Sequence, residues 1–516
     1  MLKSRLLSKK ITLTENARKV LALRYLKKND EGQPIEEPED LFFRVAENIA
    51  SIEKDSEKWT EIFYNMMANM EFLPNSPTLK NAGRELQQLS ACFVLPVGDS
   101  MEEIFEAVKN TALIHKSGGG TGFSFSRLRP KNDLVKSTKG VSSGPISFMK
   151  VFDVATDTVK QGGTRRGANM GVLSVSHPDI MEFIGIKEKD GILSNFNISV
   201  ALTDEFMKAL KNGKEYPLKN PRDDMIVGTL KASDVFEKIV NCAWKNGEPG
   251  VIFIDRMNQY NPTPHIGKIE SPNPCGEQPL LSNESCNLGS INVLQVVEEN
   301  KKLDYVKLGY IVKTAVRFLD NVIDKNKYPL PQIDKMTKGN RKIGLGVMGF
   351  ADALIKMDIP YNSKEAIKIA DELMSFISQT GIEASQILAT ERGPFPNFKG
   401  SIYDKGPDLR NATITTIAPT GSLSMIASCS SGIEPVFSLV YEKNVLDGRK
   451  FLEIHPEFLK VAKEEGFYSE GLMKTIMKTG GISSIKEIPK HVREVYVTAH
   501  DIDPETHVNI QAAFQK

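Results

Sequence analysis

Asn273, Cys275 and Glu277 alternate within the run SPNPCGEQPLLSNESCNLGSI, and Cys286 follows Glu277 by nine positions. Alternate side chains of an extended turn share a face, so an amide, a thiol and a carboxylate are aimed at one ligand. That set supplies a hydrogen-bonding group, a sulfur that can react and a general base. Pro272, Pro274, Pro279 and Gly276 forbid a regular helix or central strand here, which places Cys275 on a rigid loop. The same residues also read as a proline-rich surface loop with an incidental thiol, and the motif alone leaves both readings open.

Three further segments carry residues suited to binding a phosphate. KSGGGTGFSFSRLRP (116–130) joins a glycine run to Arg127 and Arg129; glycines let a backbone approach a phosphate and arginines grip it in bidentate fashion. QGGTRRGAN (161–169) repeats the theme with Gln161, Arg165 and Arg166 among glycines. APTGSLSMIAS (418–428) follows the β-like run ATITTI, and Thr420, Gly421 and Ser422 open what reads as a helix, so amides and hydroxyls converge there. NSPTL (75–79) adds the hydroxyls of Ser76 and Thr78. A glycine turn with exposed cations, a pair of surface loops, a capped helix and a plain turn are the bland counterparts of these four readings.

Elements that must position these groups are legible in outline. Residues 1–70 read as helices: Thr12 and Glu15 have capping-box spacing before ARKVLALRYL, and Leu41, Val45, Ile49 and Ile52 recur at helical spacing. FLPNSPTLKNAG (72–83) is the entry to a main domain at 71–516, where β-like and helical runs alternate. ACFVLPV (91–97), NFNISVAL (195–202), GVIFID (250–255) and ATITTIA (412–418) are the expected buried strands. Ser100 and Glu103 form a capping box ahead of a helix with Ile104, Val108 and Ala112 on one side. Such alternation predicts an α/β domain with parallel strands and does not separate a barrel from an open sheet. The chain stops inside THVNIQAAFQK, which reads as an unfinished helix.

Composition bounds the partners. Lys+Arg 66 against Asp+Glu 65 leaves a net charge of +1, so a global field for nucleic acid is not expected and any anion site is local. No apolar run approaches the length of a membrane span, and the N-terminus lacks the apolar core of a secretory signal. Five cysteines without a CxxC spacing argue against a disulfide scaffold or a structural zinc site and for a reducing, cytoplasmic setting. No histidine spacing suggests a metal site. Thiol chemistry on a nucleotide is what the motifs jointly suggest.

Six stretches, FLPNSPTLKNAG, LSACFVLPVGDSMEEIFEAVKNTALIHKSGGGTGFSFSRLRP, SSGPISFMKVFDVATDTVKQGGTRRGANMGVL, NPCGEQPLLSNESCNLGSINV, RKIGLGVMGFADAL and APTGSLSMIASCSSGIEPVF, resemble ribonucleotide reductase catalytic subunits. They are closest to the adenosylcobalamin-dependent class II enzymes of the dimeric type, and they run from about residue 72 to 437 in the family's order. The resemblance implies a ten-stranded α/β barrel of two five-stranded halves with the Cys275 loop as a central finger, sheltered inside the barrel. It implies that Cys275 is the thiyl-radical residue, that Cys92 and Cys286 are the reducing dithiol, and that Asn273 and Glu277 hold the ribose. Ser76 and the Thr420–Ser422 turn would bind substrate, and Asp99, Arg127 and the 161–169 loop would form a deoxynucleotide effector site. Cys242 and Cys429 receive no role and are read as buried small side chains.

The implied partners are a ribonucleoside diphosphate, dNTP and ATP effectors, a thioredoxin-like reductant and a second copy of the chain. The family continues past this terminus with further barrel chain and a mobile cysteine pair, so a separate chain supplying that segment is a further implied partner. A class I subunit fed by a radical-generating partner and a non-catalytic nucleotide-binding paralogue are the competing readings. A glycyl-radical reductase fits less well, because no RVxGY-type motif is present.

Overall fold

The computed structural model describes residues 2–135, 139–159, 167–189, 191–444 and 450–516. Four helices come first: α1 (Leu2–Leu7), α2 (Glu15–Arg24), α3 (Pro38–Ala50) and α4 (Ser56–Ala68). The cap of α2 is Thr14, whose hydroxyl accepts from Ala17 N at 3.2 Å, rather than Thr12 two residues earlier. α3 starts with Pro38, whose missing N–H costs nothing at a first turn, and buries Leu41, Val45 and Ile49 as their spacing predicts. Ile52 lies past its end and is exposed.

Eight strands form the main sheet: β1 (Phe72–Pro74), β2 (Cys92–Val94), β3 (Gly120–Ser124), β4 (Asn169–Ser174), β5 (Phe196–Leu202), β6 (Gly250–Phe253), β7 (Glu284–Asn292) and β8 (Ile343–Met348). β2 to β6 are parallel neighbours in chain order, the five-stranded half that the resemblance implies. Parallel neighbours need crossovers, and α5 (Met101–Ser117) makes the one from β2 to β3. Half of the expected capping box forms: Ser100 Oγ accepts from Glu103 N at 3.2 Å, but the Glu103 carboxylate accepts from the Ser100 hydroxyl at 2.8 Å and not from the Ser100 backbone N–H. β7 runs antiparallel to β2 and β1 and parallel to β8, so it turns the sheet toward a second half. Among the described residues this sheet has eight strands; a ten-stranded closure is not seen there.

Two expected strands differ. Residues 412–418 run beside β8, with Leu345 N donating to Ile414 O at 2.7 Å and Thr416 N to Leu345 O at 3.1 Å, but only Thr415 forms a bridge. Thr416 also donates its hydroxyl to Glu277 O at 3.0 Å, which ties this segment to the finger loop. β6 forms, yet it ends the sheet, so Val251 and Phe253 are exposed and only Ile252 is buried.

The N-terminal helices share one apolar core with the barrel chain. Phe63 of α4 and Phe72 of β1 both meet the ring of Phe318 from α6 (Tyr305–Lys325), at 5.0 and 5.5 Å between centroids. An ionic web overlies this packing: Glu53 pairs with Arg392, at the end of α7 (Lys364–Arg392), at 2.6 Å and with Arg317 at 3.2 Å. The last helix, α9 (Pro504–Gln515), is capped by Asp503 and sets Phe514 against Phe350. No helix among the described residues is long and apolar enough to cross a membrane.

Candidate active site

The NPCGE segment forms a narrow finger whose base is a two-rung ladder, Ser271–Pro272 with Pro279–Leu280. Asn273 closes it. Its backbone N donates to Gln278 O at 3.1 Å, its Oδ1 accepts from Gln278 N at 2.9 Å, and its carbonyl accepts from Gly276 N at 3.0 Å. Gly276 takes φ +87°, the left-handed turn for which glycine has no Cβ penalty. The flanks are tied to the sheet: Asn197 Nδ2 donates to Pro274 O at 2.8 Å, and Thr416 Oγ1 to Glu277 O at 3.0 Å.

The glycines of β3, read from sequence as a phosphate-approaching run, serve this finger instead. A Cβ on Gly122 would sit 1.9 Å from Pro272 O, and one on Gly120 would sit 2.8 Å from Pro274 Cγ. The finger backbone therefore lies where side chains would otherwise project, and only glycine leaves that room.

Cys92 and Cys286 occupy directly opposed positions in the antiparallel β2–β7 pair. Opposed residues of such a pair have Cα atoms about 4.5–5.5 Å apart, within the span a disulfide bridges. Asn273 Nδ2 donates to Cys92 Sγ at 3.0 Å, and the Cys92 thiol points at Glu277 Oε1 at 3.8 Å. Burial pushes both thiols well above the ordinary cysteine range, so both are held as neutral S–H. Burial likewise raises the Glu277 carboxyl, against the smaller opposing effect of its hydrogen bonds. Its Oε2 is buried with no hydrogen-bond partner in the protein, an acceptor oriented for something the chain does not itself provide.

Cys275, at the tip, is exposed. This corrects the expectation that the finger shelters it: the base of the loop is buried, but a Cβ on the neighbouring Gly276 would meet nothing within 4 Å. Cys242 is buried and donates to Glu188 Oε1 at 3.3 Å, whereas Cys429 is only half-buried, beside Gly349.

Two residues that the sequence reading passed over stand behind the dithiol. Lys342 and Glu284, 1% and 0% exposed, pair at 2.7 Å. Glu284 lies two residues before Cys286 on the same face of β7, and Lys342 acts against the burial that raises that thiol. A Lys beside the apolar IGLGVM run was the available signal.

The residues expected to bind substrate have partners within the chain. Ser76 begins a short helix (Ser76–Asn81) and shares a 2.8 Å hydrogen bond with the Tyr25 hydroxyl. Thr420 precedes α8 (Gly421–Ala427) at φ +54°, a strained conformation for a β-branched residue. Its hydroxyl accepts from Gly432 N at 2.7 Å, and Ser422 Oγ accepts from Arg24 Nη1 at 3.2 Å. Asp99 and Arg127 each have another partner: Arg129 takes the Asp99 carboxylate at 2.8 Å, and Arg127 pairs with Glu270 at 2.8 Å. Gln161, Arg165 and Arg166 lie outside the described residues.

Comparison with known proteins agrees with this geometry. Residues 90–409 and 407–516 match the ribonucleotide reductase barrel domain, and residues 11–87 match the ribonucleotide reductase all-alpha domain. A vitamin B12-dependent ribonucleoside-diphosphate reductase of Thermoplasma acidophilum is 50% identical over 98% of this chain and 74% of its own length. One of the same name from Mycobacterium tuberculosis is 44% identical over 96% of this chain and 72% of its own length. A ribonucleoside-diphosphate reductase subunit alpha of Chlamydia muridarum is 30% identical over 92% of this chain and 52% of its own length. With both matched domains in order around an opposed cysteine pair and a finger thiol, the chain belongs to the ribonucleotide reductase family.

Proposed function

We propose that this chain reduces ribonucleoside diphosphates to deoxyribonucleotides by thiyl-radical chemistry, with adenosylcobalamin as its cofactor. The observation that carries this reading is the cross-strand opposition of Cys92 and Cys286 beside the orphaned carboxylate oxygen of Glu277. The names of the 50% and 44% identical relatives support the cofactor and the diphosphate substrate. The cofactor reading rests on those names and on an accessible thiol at the finger. Cys275, exposed at the finger tip, is that thiol. When bound, adenosylcobalamin would supply the radical that takes the hydrogen atom from Cys275.

The chain's own residues do the rest. Cys275 sulfur takes the hydrogen from ribose C3′ while Glu277 takes the proton of the 3′-hydroxyl. The 2′-hydroxyl leaves as water with a proton from one thiol of the Cys92–Cys286 pair, the hydrogen of the other thiol goes to C2′ as the pair is oxidised to a disulfide, and Glu277 returns its proton to the 3′-oxygen. Cys275 then returns its hydrogen to C3′. Neutral buried thiols suit this order, because each keeps its hydrogen until the step that uses it. Asn273 holds the finger and Cys92 in one frame, and Ser76 with Thr420, Gly421 and Ser422 receives the substrate.

Base selection belongs to a deoxynucleotide or ATP site near Asp99, Arg127 and the 161–169 loop, at an interface between two copies of the chain. Support comes from α5, where Met101, Phe105 and Leu113 are exposed on the helix that follows Asp99. A thioredoxin-like dithiol in a cytoplasmic setting restores the pair. The test is an anaerobic assay with adenosylcobalamin, dithiothreitol and each ribonucleoside diphosphate. Wild type should release deoxynucleotide and Cys275→Ser none, with substrate binding retained; turnover by that variant would refute the assignment.

A further inference from the structure

α2 lies across both segments assigned to substrate and is pinned at each end. At its start Thr14 Oγ1 and Ser428 Oγ, just past α8, are 3.0 Å apart. At its end Arg24 Nη1 donates to Ser422 Oγ at 3.2 Å, and the adjacent Tyr25 hydroxyl meets Ser76 Oγ at 2.8 Å. The Tyr25 carbonyl accepts from Arg84 Nη2 at 2.6 Å, which anchors the helix end to the buried Glu36–Arg44 pair. The last residue of α2 and the one that follows it therefore reach a hydroxyl in each of two segments about 350 positions apart in sequence.

Among the described residues Arg24 has no ion-pair partner, unlike the two arginines of the 116–130 segment. Arg127 is neutralised by Glu270 and Arg129 by Asp99. Among the described residues Arg24 faces no carboxylate, and its one hydrogen bond is to a serine hydroxyl. The side chain is exposed, so its remaining donors are open to a ligand. A guanidinium offers five N–H donors in a planar fork that matches phosphate oxygens.

We infer that Arg24 is a phosphate-binding residue of the substrate site: α2 presents its guanidinium beside Ser422 to the diphosphate of a ribonucleotide, while Tyr25 sets the Ser76 hydroxyl toward the sugar end. This rests on the ribonucleotide reading above. In it the N-terminal helical region is part of the substrate site and not only a support for the barrel. Tyr25 is a positioning residue; Arg24 touches the substrate.

The test is equilibrium binding by the full chain of a ribonucleoside diphosphate and of the same ribonucleoside without phosphate. Loss of one charge-assisted contact should weaken diphosphate binding by Arg24→Ala roughly tenfold to a hundredfold, with Arg24→Lys in between, while all three proteins bind the bare nucleoside equally. Wild-type diphosphate affinity in Arg24→Ala overturns the inference and leaves the ribonucleotide reading standing. Equal loss of nucleoside and diphosphate binding also overturns it, because it assigns α2 a purely structural role. A wild-type chain that binds no ribonucleoside diphosphate overturns the ribonucleotide reading itself, and this inference with it.

Discussion

One turnover without external reductant should join Cys92 to Cys286, and the size of the effect follows from where those residues sit. They are opposed in the β2–β7 ladder, so closure asks for side-chain rotation and little movement of the backbone. The bridge would close a loop of about 190 residues, for which the chain-entropy relation gives about 5 kcal/mol of stabilisation through the unfolded state. An unfolding entropy of about 2.1 cal/mol/K per residue over this chain amounts to about 1 kcal/mol/K, so the melting temperature should rise by roughly 5 °C. Both thiols are buried and held neutral, so added disulfide reagents should form the bridge far more slowly than a bound ribonucleotide does. The assay compares thermal unfolding of the single-turnover and dithiothreitol-reduced proteins, with peptide mass mapping of the bridge. Cys92→Ala and Cys286→Ala should show neither the bridge nor the shift. A mapped bridge that includes Cys242, Cys275 or Cys429 would refute the pairing.

Glu277 and Arg127 give two further expectations. Glu277→Gln should lower turnover about 10²–10⁴-fold by removing the base, and it should also stabilise the protein at neutral pH. The sign follows from burial: folding raises this carboxyl above its ordinary value, so its favourable contribution is complete in acid and is lost as pH rises through the folded pKa. Each tenfold by which burial disfavours ionisation is worth about 1.4 kcal/mol, so melting curves of the two proteins should diverge between acid and neutral pH; parallel curves would count against the buried-base assignment. Arg127→Ala should weaken deoxynucleotide binding by roughly tenfold and flatten the preference among ribonucleotides, since coupling between two sites is reciprocal. An unchanged preference pattern would remove Arg127 from the effector site.

Local chemistry was the legible part. The finger could be read because Pro272, Pro274, Gly276 and Pro279 exclude other structure within a few residues, and the Ser100 N-cap because it lies three residues from the amide it caps. Pairing of Cys92 with Cys286 came from family likeness; spacing could not give it, because only the β2–β7 register brings the two together. Gly120 and Gly122 were misread for the same reason. The backbone that needs their missing side chains is Pro272 and Pro274, about 150 residues on, so a glycine run for a close approach looks the same whether a phosphate or a peptide arrives. Residues 412–418 have strand composition, but only Thr415 forms a bridge, and Thr416 is tied to the finger by a tertiary contact. Arg24 carried no local signal at all, since it ends an ordinary amphipathic helix.

Burial within the finger divides the chemistry between its residues. Asn273 and Gln278 are 2% and 4% exposed, while Cys275 between them is exposed. A buried base and an accessible tip suit the role proposed for Cys275, because the sulfur can be reached from outside and is still fixed relative to the groups behind it. Asn273 supplies that fixity. Its amide NH₂ donates to Cys92 Sγ, its Oδ1 accepts from the far side of the finger, and its carbonyl closes the tip through Gly276 N. One residue, through its side chain and its backbone, thus sets the loop's shape and ties it to Cys92, so that Cys275 and the buried thiols are positioned by a common frame. The dithiol and Glu277 need the opposite environment, dry enough to hold their protons or to make ionisation costly. Proline and glycine meet both demands: those within the finger stop it from joining the sheet as a strand, while the glycines of β3 let its base lie against that sheet.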